Sequence, residues 1–129
     1  MSANILDAIT AATVDTVPTF TVSAGSNRIA FVLAVHTHGS NAAPVTSLTL
    51  GGQSCEVVAT IDDDGNTFDV CATLFALKET GIAAMSGSTI TPTGGTYNNR
   101  QYFTWSLQDA DQGTLTAVTA ATSGTSGSI

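Results

Sequence analysis

The apolar positions of this chain fall in short runs, each interrupted by turn-forming residues. The most apolar run is Ile29 to His36. In an extended chain Ile29, Phe31, Leu33 and Val35 share one face, and Ala30, Val32, Ala34 and His36 share the other. A strand that is apolar on both faces belongs inside a sheet rather than at its rim. The same pattern predicts strands at 19–24, 45–50, 53–61, 67–77, 85–93, 100–107 and 115–122. Between them stand turn signals such as Gly25-Ser26-Asn27, Gly51-Gly52, and residues 62–66, 78–81 and 94–99, whose Gly, Asn and Asp residues accept the backbone angles a reversal needs. Pro92 cannot donate to a ladder, so its strand is expected to end there or to lie at an edge.

Two side assignments follow from alternation. In 100–107, Phe103, Trp105 and Leu107 oppose Tyr102, Thr104 and Ser106, and the more apolar set, Trp105 included, is expected to face the core. In the hairpin 53–77, a turn placing Asp62 opposite Asn66 would pair Val57 with Cys71 and Cys55 with Thr73. Cys55 and Cys71 would then be diagonal neighbours at about 7 Å, beyond the roughly 3.5–4.5 Å between Cβ atoms that a disulfide spans. Two free thiols are therefore expected.

At the start of the chain, Ile5, Leu6 and Ile9 recur at helical spacing, but the stretch is short for a stable helix. Residues 1–12 read as a loose arm or a single docked turn, with these three apolar side chains available to a partner. Residues 123–129 read as a flexible, low-complexity tail. Between them, residues 13–122 are expected to form one all-β domain: an antiparallel β-sandwich, jelly-roll-like, of about eight short strands.

Composition supports that class and narrows the function. The 129 residues suit one domain with a modest core. Only 10% are charged, against roughly 25% in an average protein, and 22 threonines take up much of the difference. Threonine is β-branched and tolerates a half-exposed pleated face. Three basic residues, Arg28, Lys78 and Arg100, face ten acidic ones, and the net charge is −7. Nucleic-acid binding, which needs several cations to displace counterions, is not expected, nor is adhesion to an anionic membrane surface. No apolar run approaches the ~20 residues that span a bilayer, and an N-terminus without Lys or Arg does not read as a secretory signal.

Four stretches, "SAGSNRIAFVLAV", "PVTSLTLGGQSCEVVAT", "ATLFALKETG" and "FTWSLQDADQGT", together resemble a β-sandwich module common in phage virion proteins and bacterial surface proteins. The matching positions are Asn27-Arg28 before the apolar strand, the Gly51-Gly52 hairpin, Phe75 with Gly81, and Asp111-Gln112, over roughly residues 19–115. Here Leu74-Phe75 stand where the module is usually richer in Trp and Tyr. The module also usually continues into further strands after the Asp-Gln turn, so the resemblance implies an open sheet edge here, and open edges seek partners. Asn27 suits a turn. Arg28 has five donors with which to tie loop carbonyls or an acid together, and Gly51-Gly52 supplies positive φ.

The candidate chemistry is sparse. His36 and His38 are spaced to share a face and could hold a transition metal, although no third ligand stands out; the plainer expectation is a strand end where both rings meet solvent. Asp62, Asp64, Asn66 and Asp69 could form a weak calcium site, but Thr67 falls where a calcium loop wants glycine. The plainer expectation is a turn with Gly65 in the left-handed position. No nucleophile elbow or P-loop is present, and Glu56 and Glu79, the only glutamates, suggest no glycosidase pair. No cofactor is expected. The sequence thus points to a non-enzymatic structural protein of a virus particle, a head decoration (cement) or tail-associated component. Its partners would be capsid or tail proteins or sister copies, in a possible homo-oligomer assembled in host cytoplasm. The alternative is a carbohydrate- or cell-surface-binding module, if Tyr97, Tyr102 and Trp105 reach the surface together.

Overall fold

The computed structural model describes residues 2–39, 41–62 and 69–116. In chain order they form β1 (Asn4–Ala11), β2 (Ile29–His38), β3 (Ser47–Leu50), β4 (Gln53–Ser54), β5 (Glu56–Asp62), β6 (Asp69–Lys78), the short helix α1 (Glu79–Ala83), β7 (Ile90–Thr93) and β8 (Asn99–Gln108). Five strands make one sheet in the order β1-β8-β2-β6-β5, and three make a second in the order β4-β3-β7. Every pairing is antiparallel. The architecture is the expected all-β, sandwich-like one.

β2 is the central strand that its two apolar faces predict. It pairs with β6 from Ile29↔Lys78 to His38↔Asp69, and on its other side with β8 from Ile29↔Leu107 to Thr37↔Asn99. Its Ala30, Val32 and Ala34 pack inward with Phe75, Leu77 and Tyr102 against Val45, Leu48, Leu50 and Ile90 of the smaller sheet's side, with Phe20 and Ile82. The small alanines of β2 leave room for the Phe75 and Tyr102 rings, both fully buried.

Several expectations are corrected. The N-terminal segment is not a loose arm: residues 4–11 form a strand on the free edge of β8, with Asn4 opposite Gln108 and Ala11 opposite Phe103. Asp7 fixes it there, accepting hydrogen bonds from the Ser106 hydroxyl at 2.5 Å and the Ser23 N–H at 3.1 Å. Helical spacing of three apolar residues lost to a ladder, interrupted by register shifts, that pairs this segment with the edge of β8. The open edge that the resemblance implies beside β8 is therefore filled by the start of the chain. The strand expected at 115–122 lies mostly outside the described residues, as do the tail at 123–129 and Asp64, Gly65 and Asn66; Leu115 and Thr116 are not in a strand.

The segment 53–61 is divided between sheets. Gln53 and Ser54 pair with β3, while Glu56 to Asp62 pair with β6. The register also differs from the expected one: Val57 faces Phe75, Asp62 faces Cys71, and a bulge between Val57 and Ala59 shifts the ladder. Cys55 sits at the crossover between sheets, where its N–H donates to Leu48. Both thiols are free, because the two cysteines occupy different parts of the sandwich rather than diagonal positions. Of the strand expected at 19–24, Thr19 contributes an isolated bridge to Thr89. The turn expected at 78–81 is the start of α1.

Candidate interaction surface

The decisive geometry is which way β8 faces. Tyr102, Thr104 and Ser106 are buried against the second sheet, while Phe103, Trp105 and Leu107 are half-buried on the opposite side. This reverses the expectation that Trp105 faces the core. Two of the hydroxyls that go inside find partners, while the buried Tyr102 hydroxyl has none among the described residues. Ser106 donates to Asp7, and on β6 Thr73 donates to the Val45 carbonyl at 3.1 Å. A satisfied hydroxyl costs little to bury.

The outer face of the five-stranded sheet is consequently apolar. Its rows follow from the ladder: Leu74, Leu33 and Phe103 lie side by side, as do Ala72, Val35 and Gln101, and Ala76, Phe31 and Trp105. Phe31 and Trp105 stack, with ring centroids 5.2 Å apart and planes within 15°. Leu33, Val35, Leu74, Phe103 and Trp105 are each half-buried, and toward the β5 edge Ile61 is 47% exposed. One end of the face is roofed: Ala110 and Leu115 pack over Ile29, Ala76 and Phe31 together with Val58 and Leu107. The other end is an open hollow lined by Val14, Val35, Thr37 and Gln101. The charges carried near the β5 edge, Glu56 and Lys78, neutralise each other at 3.2 Å.

The residues behind the family resemblance act as a clasp at the roofed end. The Arg28 side chain binds the Glu79 carboxylate through Nε and Nη2 and donates from Nη1 to the Ser23 carbonyl. Gln112 closes the loop, accepting from the Glu79 N–H at 3.0 Å and donating to the Arg28 carbonyl. Asn27 has φ +50 and accepts from the Ala110 N–H. Arg28 thus ties a loop carbonyl and an acid together. Gly51 and Gly52 both have positive φ, +56 and +79.

The metal candidates are placed separately from this surface. His36 is buried, not at a solvent-facing strand end. Its Nδ1–H donates to the Ala43 carbonyl at 3.1 Å, Tyr97 packs on its ring, and Gly95 closes over it. Burial holds its pKa below the ordinary value, the Ala43 bond opposes this, and nearby Arg100 adds to the lowering. His38 Nδ1 accepts from the Asn41 N–H. Asp69 is buried and accepts from the Ala42 N–H, whereas Asp62 is exposed at the end of β5. Among the described residues no three His, Cys, Asp or Glu side chains gather as a metal site would require.

Tyr97, Tyr102 and Trp105 are not brought together. Tyr102 is buried inside, Tyr97 lies over His36, and Trp105 is on the outer face. Ile5 and Ile9 are 72% and 68% exposed on β1, and Leu6 is half-buried beside Gly25. Sequence reasoning missed Phe31, Leu33, Val35, Phe103 and Trp105 as surface residues. Their signal was present in the two apolar faces of β2, which ask for a cover on both sides.

Comparison with protein family models, curated proteins and solved structures finds no match to this chain.

Proposed function

We propose that this protein is a non-enzymatic structural component of a virus particle, a head decoration or tail-associated protein that acts by adhesion. The supporting observation is the apolar outer face centred on Leu33. A monomeric domain seldom leaves a contiguous apolar surface in water without using it for contact. Charge is scarce on this face, so recognition there rests on shape and burial. The resemblance to virion β-sandwich modules agrees with that mode of action, and the partners it implies are capsid or tail proteins and copies of the same chain.

An antibody raised against the purified chain tests this reading. Particles banded on a density gradient from the source culture should carry the chain in fixed proportion to the major particle protein. Finding it only in the soluble fraction, with the particles bare, would overturn the proposal.

A further inference from the structure

We infer that the outer face of the five-stranded sheet pairs with the same face of a second copy of this chain, across a two-fold axis running along β2 near Leu33. This deepens the assembly reading and rests on the same surface. Three features favour a sister copy over another occupant.

The first is charge. The chain carries −7 overall, so two copies repel wherever their acids meet. Around Leu33 the rows are Leu74, Leu33 and Phe103, then Ala72, Val35 and Gln101, and the nearby Glu56 and Lys78 are already paired. This is a surface on which two such acidic molecules can meet without repulsion.

The second is shape. Bulk is uneven across the face. The β8 side carries the Phe103 and Trp105 rings, and the β6 and β5 side carries the smaller Leu74, Ala72, Ala59 and Ile61. A two-fold axis along β2 sets the β8 side of one copy over the β6 side of the other. Phe103 of one copy then lies over Leu74 of the other, Gln101 lies over Ala72, and Leu33 meets its own counterpart. The strands of the two copies run nearly aligned, the common geometry of stacked sheets. A two-fold interface uses one patch on both copies, so complementarity within the patch is what it requires.

The third is size. Five strands at about 4.8 Å and some six open residues at roughly 3.3 Å per strand give about 500 Å² per copy. Two copies together reach about 1,000 Å², the lower bound of a specific interface. A reversible, concentration-dependent dimer follows.

Sedimentation velocity over a dilution series tests this on the wild-type chain, with Trp105 fluorescence as a second readout, since it is the only tryptophan. Dilution should convert dimer to monomer, and Trp105 emission should shift to the red along the same curve. Leu33→Lys and Leu33→Glu should each be monomeric, and mixing the two should restore a dimer, because only a self-facing Leu33 becomes an opposite-charge pair. Ser47→Lys, exposed on the other sheet, should dimerise as wild type. Circular dichroism checks that each variant folds, and the wild-type dilution curve decides the matter if the Leu33 variants do not. A wild-type chain that is monomeric throughout overturns the proposal. So does a monomer whose Trp105 becomes solvent-exposed only when residues 117–129 are removed, since that result makes the chain's own end the cover. A monomer that still labels particles overturns the pairing and leaves the virion reading standing. A dimer absent from particles upholds the pairing and removes the virion reading.

Discussion

Arg28 and Glu79 stand 51 residues apart and form one hydrogen-bonded unit, in which both the Arg28 backbone N–H, at 2.7 Å, and its guanidinium donate to the same carboxylate. The unit joins the start of β2 to the start of α1, and Gln112 ties the segment after β8 onto it.

Removing that carboxylate should therefore cost more than an ordinary surface ion pair. Glu79→Ala leaves a partly buried N–H and guanidinium unmatched, and a loss of about 1–3 kcal/mol is expected. Glu79→Gln, which keeps an acceptor, should lose less. Urea unfolding of the two variants checks the order. The Arg28 side-chain and backbone hydrogen bonds hold the Glu79 pKa below its ordinary value. Its contribution is thus full above the usual carboxylate range and is lost as pH falls through the lowered folded value. Equal stability of the two variants at neutral pH would refute the clasp.

His36 should make the fold acid-sensitive in a higher window. Burial, with Arg100 nearby, keeps it neutral in the folded chain, and its buried Nε2 has no hydrogen-bond partner among the described residues. The unfolded chain binds the proton more readily, so stability is full above about pH 6.5 and falls as pH drops below it. Melting temperatures between neutral and mildly acidic pH should decline for the wild type and decline less for His36→Gln. Parallel slopes would assign the acid loss to other groups.

The N-terminal strand should behave as part of the domain. Deleting residues 1–11 exposes the β8 edge and strips Ser106 of its acceptor, so the truncated chain should unfold at lower temperature or aggregate. Asp7→Ala should retain the fold and lose about 1–3 kcal/mol. Circular dichroism melts report both, and a truncated chain as stable as the full one would return this segment to a dispensable arm.

Both thiols should be countable yet slow to react. Burial pushes the Cys55 and Cys71 thiols up to about 11, so little thiolate exists at neutral pH. Titration of the denatured chain without reductant should find two thiols, and alkylation of the folded chain should be much slower than of the denatured one. A count of zero would require a disulfide.

At the hairpin turn, Gly51→Ala should cost more than Gly52→Ala. Both have positive φ, but a Cβ at Gly51 would meet the Gly87 carbonyl at 2.7 Å, whereas one at Gly52 meets nothing within 4 Å. The Gly52 variant should lose about 1 kcal/mol from backbone strain alone, and comparable losses would refute the contact.

The sequence by itself determined the all-β class, the central place of β2, the turn glycines and the clasping role of Arg28. Each rests on local signals: two apolar faces, positive-φ residues, a multi-donor side chain at a strand start. Tertiary structure decided what local signals leave open. Alternation separates Tyr102, Thr104 and Ser106 from Phe103, Trp105 and Leu107 but does not say which set turns inward. In the fold the Ser106 hydroxyl is matched by Asp7, 99 residues away. The bulge after Val57 moved the hairpin register, and the ladder from Asn4 to Ala11 claimed an edge that composition left unassigned. Each outcome involves strands distant in sequence, whose pairing local signals do not specify.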